Sequence, residues 1–89
     1  MADNEMTPQM AQLNITWNGQ NGDLPDPIAY DMSDSDVRQL AKEVVSNEGI
    51  PGVTQDANAD FTDFVVDRYP ATEEKPNRVM LRPKVPFGE

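Results

Sequence analysis

Leu13-Asn14-Ile15-Thr16-Trp17-Asn18-Gly19-Gln20-Asn21-Gly22 is the stretch on which the fold turns. Leu13, Ile15 and Trp17 alternate with Asn14 and Thr16, the period-two pattern of a strand with one buried face. Asn18-Gly19 follows at once, and both residues tolerate the positive φ of a tight hairpin turn. Asn21-Gly22 offers a second place to reverse. A hairpin is therefore expected, with its return strand at Pro27 to Asp31, Ile28 and Tyr30 pointing inward, and Pro25 and Pro27 marking an irregular entry.

On the C-terminal side of this hairpin a helix is expected over Asp34 to Asn47. Ser33 suits an N-cap, Asp36 completes a short capping box, and Asp34 and Asp36 suit the positive end of the helix dipole. Val37, Leu40, Ala41, Val44 and Val45 fall at i, i+3, i+4, i+7 and i+8, one apolar stripe. Gly49 and Pro51-Gly52 end the helix. Val53 to Asp60 reads as a polar connector. Phe64, Val65 and Val66 suggest a strand from about Thr62 to Arg68, Pro70 to Asn77 a loop, and Arg78 to Arg82 a last strand with Val79 and Leu81 on one face. Pro83 stops it.

On the N-terminal side, Met1 to Gln12 shows no period and reads as a mobile arm. The expected organisation is an arm (1–12), one domain (13–82) and an extended tail (83–89), since two prolines in the tail forbid a helix. Hairpin, helix, strand, strand suits a two-layer α+β domain, one helix across a mixed sheet of four to five strands. An 89-residue chain has room for one core.

Charge and composition narrow the function. Residues 1–67 hold 13 acidic and 2 basic side chains, whereas residues 68–89 hold 5 basic and 3 acidic, within a net charge of −9. An acidic body repels phosphates, so nucleic acid is not the expected partner, while a basic tail can meet an acidic protein groove. Cysteine and histidine are absent. Thiol and Ser-His-Asp catalysis are thereby excluded, along with the commonest zinc ligands, and no enzyme is expected. No leader pattern is read at the start and no stretch approaches the ~18 apolar residues of a membrane span, which gives the cytoplasm as the expected location, and a monomer is the expected state.

Four local motifs have simpler readings than chemistry. Asp56-Ala57-Asn58-Ala59-Asp60 imitates the start of a calcium loop, but Phe61 stands where glycine permits the sharp turn, so a solvated acidic loop is expected. Asp31, Asp34 and Asp36 are better explained by the helix start than by magnesium. Asn14-Ile15-Thr16 is a glycosylation sequon by letter alone, and Asn18 to Gly22 lacks the lysine of a phosphate-cradling loop. The terminal strip Lys84-Val85-Pro86-Phe87-Gly88-Glu89 differs. It is apolar, basic and stiffened by Pro83 and Pro86, which lowers the entropy lost on immobilisation, and Gly88 is thin enough for a narrow tunnel. Packing back on the sheet is the alternative for it.

Trp17-Asn18-Gly19, Leu24-Pro25-Asp26-Pro27, Asp63-Phe64-Val65-Val66-Asp67-Arg68 and Leu81-Arg82-Pro83-Lys84-Val85-Pro86-Phe87-Gly88 together resemble bacterial ubiquitin-like proteins, over about Leu13 to Glu89. The resemblance implies a β-grasp fold and a modifier encoded beside an activating enzyme, a conjugating enzyme and a zinc-dependent isopeptidase of the JAB/JAMM type, in systems linked with defence against phage. It implies that the isopeptidase removes Glu89, and that the activating enzyme uses ATP and magnesium to adenylate the Gly88 carboxylate. Transfer through a partner's thioester to an amine on a target protein would follow. Every cofactor then belongs to a partner. Arg82, Lys84, Pro86 and Phe87 are the expected tail-recognition residues, and Lys42, Lys75 and Lys84 are candidate acceptors for chains. Ubiquitin ends its mature form in two glycines, whereas Phe87 precedes a single Gly88 here, a bulk that can serve against foreign modifiers. The rival expectation is a β-grasp adaptor that binds partners without being conjugated.

Overall fold

The computed structural model describes residues 9–84. In chain order it contains β1 (Met10–Trp17), β2 (Gln20–Asp23), β3 (Ile28–Ala29), α1 (Asp34–Asn47), β4 (Val65–Tyr69) and β5 (Arg78–Arg82). The strands form one mixed sheet in the order β2-β1-β5-β4, with β3 also paired to β1. β1 and β5 run parallel in register Leu13 to Val79 and Ile15 to Leu81, while β2, β3 and β4 pair antiparallel to their neighbours. One helix packed on a five-stranded mixed sheet makes this an α+β domain with a β-grasp-like layout.

The core follows from the two periodicities. Ala11, Leu13 and Ile15 of β1 and Val79 and Leu81 of β5 point to the same face and are fully buried. Against them lie Val37, Ala41 and Val45, the inner stripe of α1. Each fully buried Val, Leu or Ile side chain contributes about 1.5–3 kcal/mol relative to exposure. The helix starts as its sequence dictates, with the Asp36 amide donating to Ser33 Oγ at 3.1 Å. At its end the amides of Glu48 and Gly49 both reach the Val44 carbonyl at 2.9 Å.

Four sequence expectations need correction. β1 begins at Met10, three residues before Leu13, and Ala11 is buried. Residues 10–12 therefore belong to the sheet, the Gln9 carbonyl accepts from the Tyr30 amide at 2.7 Å, and residues 1–8 of the expected arm lie outside the described residues. The return strand is split in two. β2 pairs at once with the second half of β1, Trp17 opposite Gln20, and β3 pairs with its start, Ala11 opposite Ile28. Between them lie Pro25 and Pro27, which carry no amide hydrogen to give to the ladder. The expected strand Pro27 to Asp31 shrinks to Ile28–Ala29, with Ile28 buried as expected.

The stretch from Val53 to Asp60 is more than a polar connector. Val53 and Ala59 are buried, as is Phe61 beside them. β4 starts at Val65 and ends at Tyr69, later than the expected Thr62 to Arg68. The Asp60 carboxylate accepts from both the amide and the hydroxyl of Thr62, at 3.0 and 2.6 Å, and the Phe64 amide reaches the Phe61 carbonyl at 3.0 Å. These bonds hold residues 60–64 in a turn, because side-chain oxygens compete with the ladder for backbone amides.

Candidate functional site

The face of the sheet turned away from α1 and the end of β5 are where the described members of the expected site, Arg82 and Lys84, fall. Alternation puts Gln12, Asn14 and Thr16 of β1 on this outer face, beside Arg78, Met80 and Arg82 of β5 and Val65, Asp67 and Tyr69 of β4. β2 adds Asn21 and Asp23, opposite Thr16 and Asn14.

The β1–β2 half is a closed amide network. Asn14 Nδ2 donates to Asn21 Oδ1 at 3.0 Å and to Asp23 Oδ1 at 2.9 Å, and Asn21 Nδ2 donates to Asn14 Oδ1 at 2.8 Å and Thr16 Oγ1 at 2.9 Å. Its polar groups answer one another, which leaves this half with little demand for a partner.

The β4–β5 half differs. Arg82 Nε donates to Asp67 Oδ2 at 2.6 Å across the strand pair. The Arg78 guanidinium lies over the Tyr69 ring, 5.2 Å from its centroid. Met80 sits between these two pairs, opposite Asp67 on one side and Asn14 on the other. Tyr69 is 41 % exposed, the one exposed large hydrophobic side chain among the described residues. A groove of about 370 Å³ lies on the other side of Arg78, toward β1 and β2, lined by residues that include Gln12, Asn14, Asp23, Lys75, Arg78 and Met80. Met80 and Arg78 are residue types enriched at protein interfaces, as is the exposed Tyr69 against which Arg78 lies.

Of the expected tail-recognition residues, Arg82 and Lys84 are described, and both are exposed. Arg82 is held to Asp67, so its guanidinium is oriented before any partner arrives. Pro86, Phe87, Gly88 and Glu89 lie outside the described residues. Lys42, Lys75 and Lys84 are all exposed.

The acidic motifs are accounted for by local bonds. Asp56 accepts from the Trp17 indole at 2.9 Å and from the Asn58 amide at 2.9 Å, which hold its carboxyl below the ordinary range. The Asp60 carboxyl is held low by the Thr62 hydroxyl and amide. Asp34 pairs with Arg68 at 2.7 Å. Among the described residues no group of three or more His, Cys, Asp or Glu is placed to hold a metal ion, and no helix is long and apolar enough to cross a membrane.

Two residues with structural roles were not foreseen. Arg68 donates to the carbonyls of Tyr30 and Met32 as well as to Asp34, pinning the loop before α1 onto β4. Asn77, 7 % exposed, donates to the Met10 carbonyl at 3.0 Å and accepts from the Ala71 amide at 2.7 Å, joining the entry of β5 to the start of β1. No periodicity or motif announces either, because each acts through backbone carbonyls or amides far away in sequence. Compared with known proteins, the chain matches no family model, no curated protein and no solved structure.

Proposed function

We propose that this protein is a ubiquitin-like modifier whose functional atom is the Gly88 carboxyl carbon. The observation that carries the reading is the placement of β5. It is hydrogen-bonded on both sides within the sheet, stops at Arg82 and passes the chain straight to exposed Pro83 and Lys84. A tail rooted in an interior strand starts from a fixed point on a rigid body, which favours insertion into a partner's tunnel because little besides the tail must be ordered.

In this reading a JAB/JAMM-type isopeptidase hydrolyses the Gly88–Glu89 amide. The Gly88 carboxylate then attacks the α-phosphorus of ATP with loss of pyrophosphate, a partner thiolate displaces AMP, and a target amine displaces the thiol to leave an amide. Adenylation turns a poor leaving group into a good one, and all catalytic groups are the partners', in keeping with a chain that has no Cys or His. The resemblance of the tail and strand motifs to bacterial ubiquitin-like proteins supports a place in antiphage defence, in the cytoplasm.

Intact mass spectrometry with the activating enzyme, the isopeptidase and ATP tests this. Loss of one glutamate followed by adducts that Gly88→Ala blocks or slows is the expected result. An unchanged mass with active enzymes overturns it. The second reading, a non-conjugated adaptor, is favoured by one observation, the exposed Tyr69 beneath Arg78, a residue that also lines the outer-face groove. It predicts partner binding that Tyr69→Ala weakens and removal of the tail does not.

A further inference from the structure

Residues 1–67 contain only two basic side chains, Arg38 and Lys42, against 13 acidic ones. Both lie on α1, four residues apart, and both line the same surface pocket of about 270 Å³, with Ser35, Gln39, Asp60, Phe61 and Thr62. Like charges at this spacing disfavour a helix slightly, so the pairing has no benefit for α1 itself. Arg38 is anchored. Its Nε donates to the Phe64 carbonyl at 3.0 Å, which fixes the guanidinium while its two Nη groups take no other described partner. Lys42 is exposed and forms no hydrogen bond or ion pair among the described residues, although its charge lies near enough to Asp60 to help hold that carboxyl low. The one acid in the pocket, Asp60, has an oxygen committed to Thr62. Two cations and one carboxylate leave a local charge of +1 on a body of opposite sign.

We infer that the Arg38–Lys42 pocket is a binding site for a single Asp or Glu side-chain carboxylate on a segment of a partner protein. An oriented guanidinium matches a carboxylate with two parallel hydrogen bonds, and the lysine adds a point charge beside it. A single negative charge balances the pocket. A phosphate dianion overfills it and meets the field of a protein with net charge −9. Two partly solvated cations hold an isolated carboxylate weakly, so backbone and side-chain groups flanking the acidic residue add to the contact. The inference stands on α1 and residues 60–64 and does not depend on whether the tail is conjugated.

The test is a two-dimensional amide and Arg Nε–H NMR titration of the full chain at constant ionic strength. The probes are a short capped peptide with one Glu, the same peptide with Gln, acetate and inorganic phosphate. Saturable shifts at the Arg38 Nε–H and the amides of Ser35 and Thr62 are expected with the Glu peptide and not with the Gln peptide. Lys42→Gln removes an exposed side chain and is expected to weaken the Glu peptide about two- to fivefold, with sheet amide shifts unchanged. Equal response to the Glu and Gln peptides, or an unaltered response in Lys42→Gln, overturns the site. Phosphate binding tighter than the Glu peptide overturns its carboxylate preference. Acetate binding as tightly as the peptide overturns the partner segment in favour of a free small carboxylate.

Discussion

The indole N–H of Trp17 donates to the carboxylate of Asp56 at 2.9 Å, joining the end of β1 to a loop 39 residues further along the chain. The same indole packs on Phe61 and Phe64 with ring centroids 5.0 and 5.8 Å away, and those two rings meet edge to face at 4.8 Å. One hydrogen bond thus orients the aromatic cluster that seats residues 56–64 on the sheet. It also predicts a pH dependence. The bonds from Trp17 and the Asn58 amide lower the folded pKa of Asp56 from an ordinary value of 3.8. A depressed carboxyl adds stability that is complete above the unfolded pKa and disappears as pH falls through the lower folded value. Trp17 fluorescence followed through denaturation at pH 6 and pH 3 is expected to show a loss of stability on acidification that is smaller in Asp56→Asn than in the parent.

Phe61→Ala is expected to cost about 3–5 kcal/mol, the range for deleting a buried aromatic ring. Phe61 is 1 % exposed and touches both other members of the cluster. Urea denaturation measures it, and a cost below about 1 kcal/mol would show that the 56–64 segment is not seated as described.

Gly22→Ala and Gly19→Ala separate two reasons for glycine. A Cβ on Gly22 would stand 2.0 Å from the Pro51 carbonyl oxygen, a backbone atom that has no rotamer to escape into. Overpacking of this kind costs about 1–3 kcal/mol. At Gly19 a Cβ meets nothing within 4 Å, but φ is +79°, so the cost is the left-handed penalty alone, about 1–2 kcal/mol. Gly22→Ala is further expected to disturb the amide shifts of residues 50–54, and Gly19→Ala to leave them in place.

Ser33→Ala removes the acceptor for the Asp36 amide and is expected to cost about 1 kcal/mol. Ser33→Asp restores the cap and is expected to recover most of that loss in thermal denaturation.

The parts of the fold legible in sequence are those that state their own geometry. The helix Asp34–Asn47 has a cap, an apolar stripe and a stop, and β5 has alternation ended by proline; both appear at the expected residues. β2 has no legible strand pattern because Gln20-Asn21-Gly22-Asp23 has no apolar side chain. Its register comes from the Asn18-Gly19 turn, its outer face from the amide network, and its inner side at Gly22 from close contact with Pro51 and Gly52. The start of β1 was missed because Met10-Ala11-Gln12 offers one small apolar residue to the core. On the outer face, Arg82 was legible as a charge beside the tail, but its bond to Asp67 and the seat of Arg78 on Tyr69 depend on strand register, which no local pattern reveals.

The parallel pairing of β1 with β5 bears on what happens when the molecule is pulled. Traction on the chain beyond Arg82, resisted at the beginning of β1, draws the two strands in opposite directions along their own axes. Their hydrogen bonds are then loaded together in shear, whereas a hairpin pulled from its open end would give way one bond at a time. Forced unfolding is governed by the unfolding rate. The Leu13–Val79 to Ile15–Leu81 register therefore raises the force needed to unfold the domain when it is stretched between the start of β1 and the chain beyond Arg82, separately from its equilibrium stability.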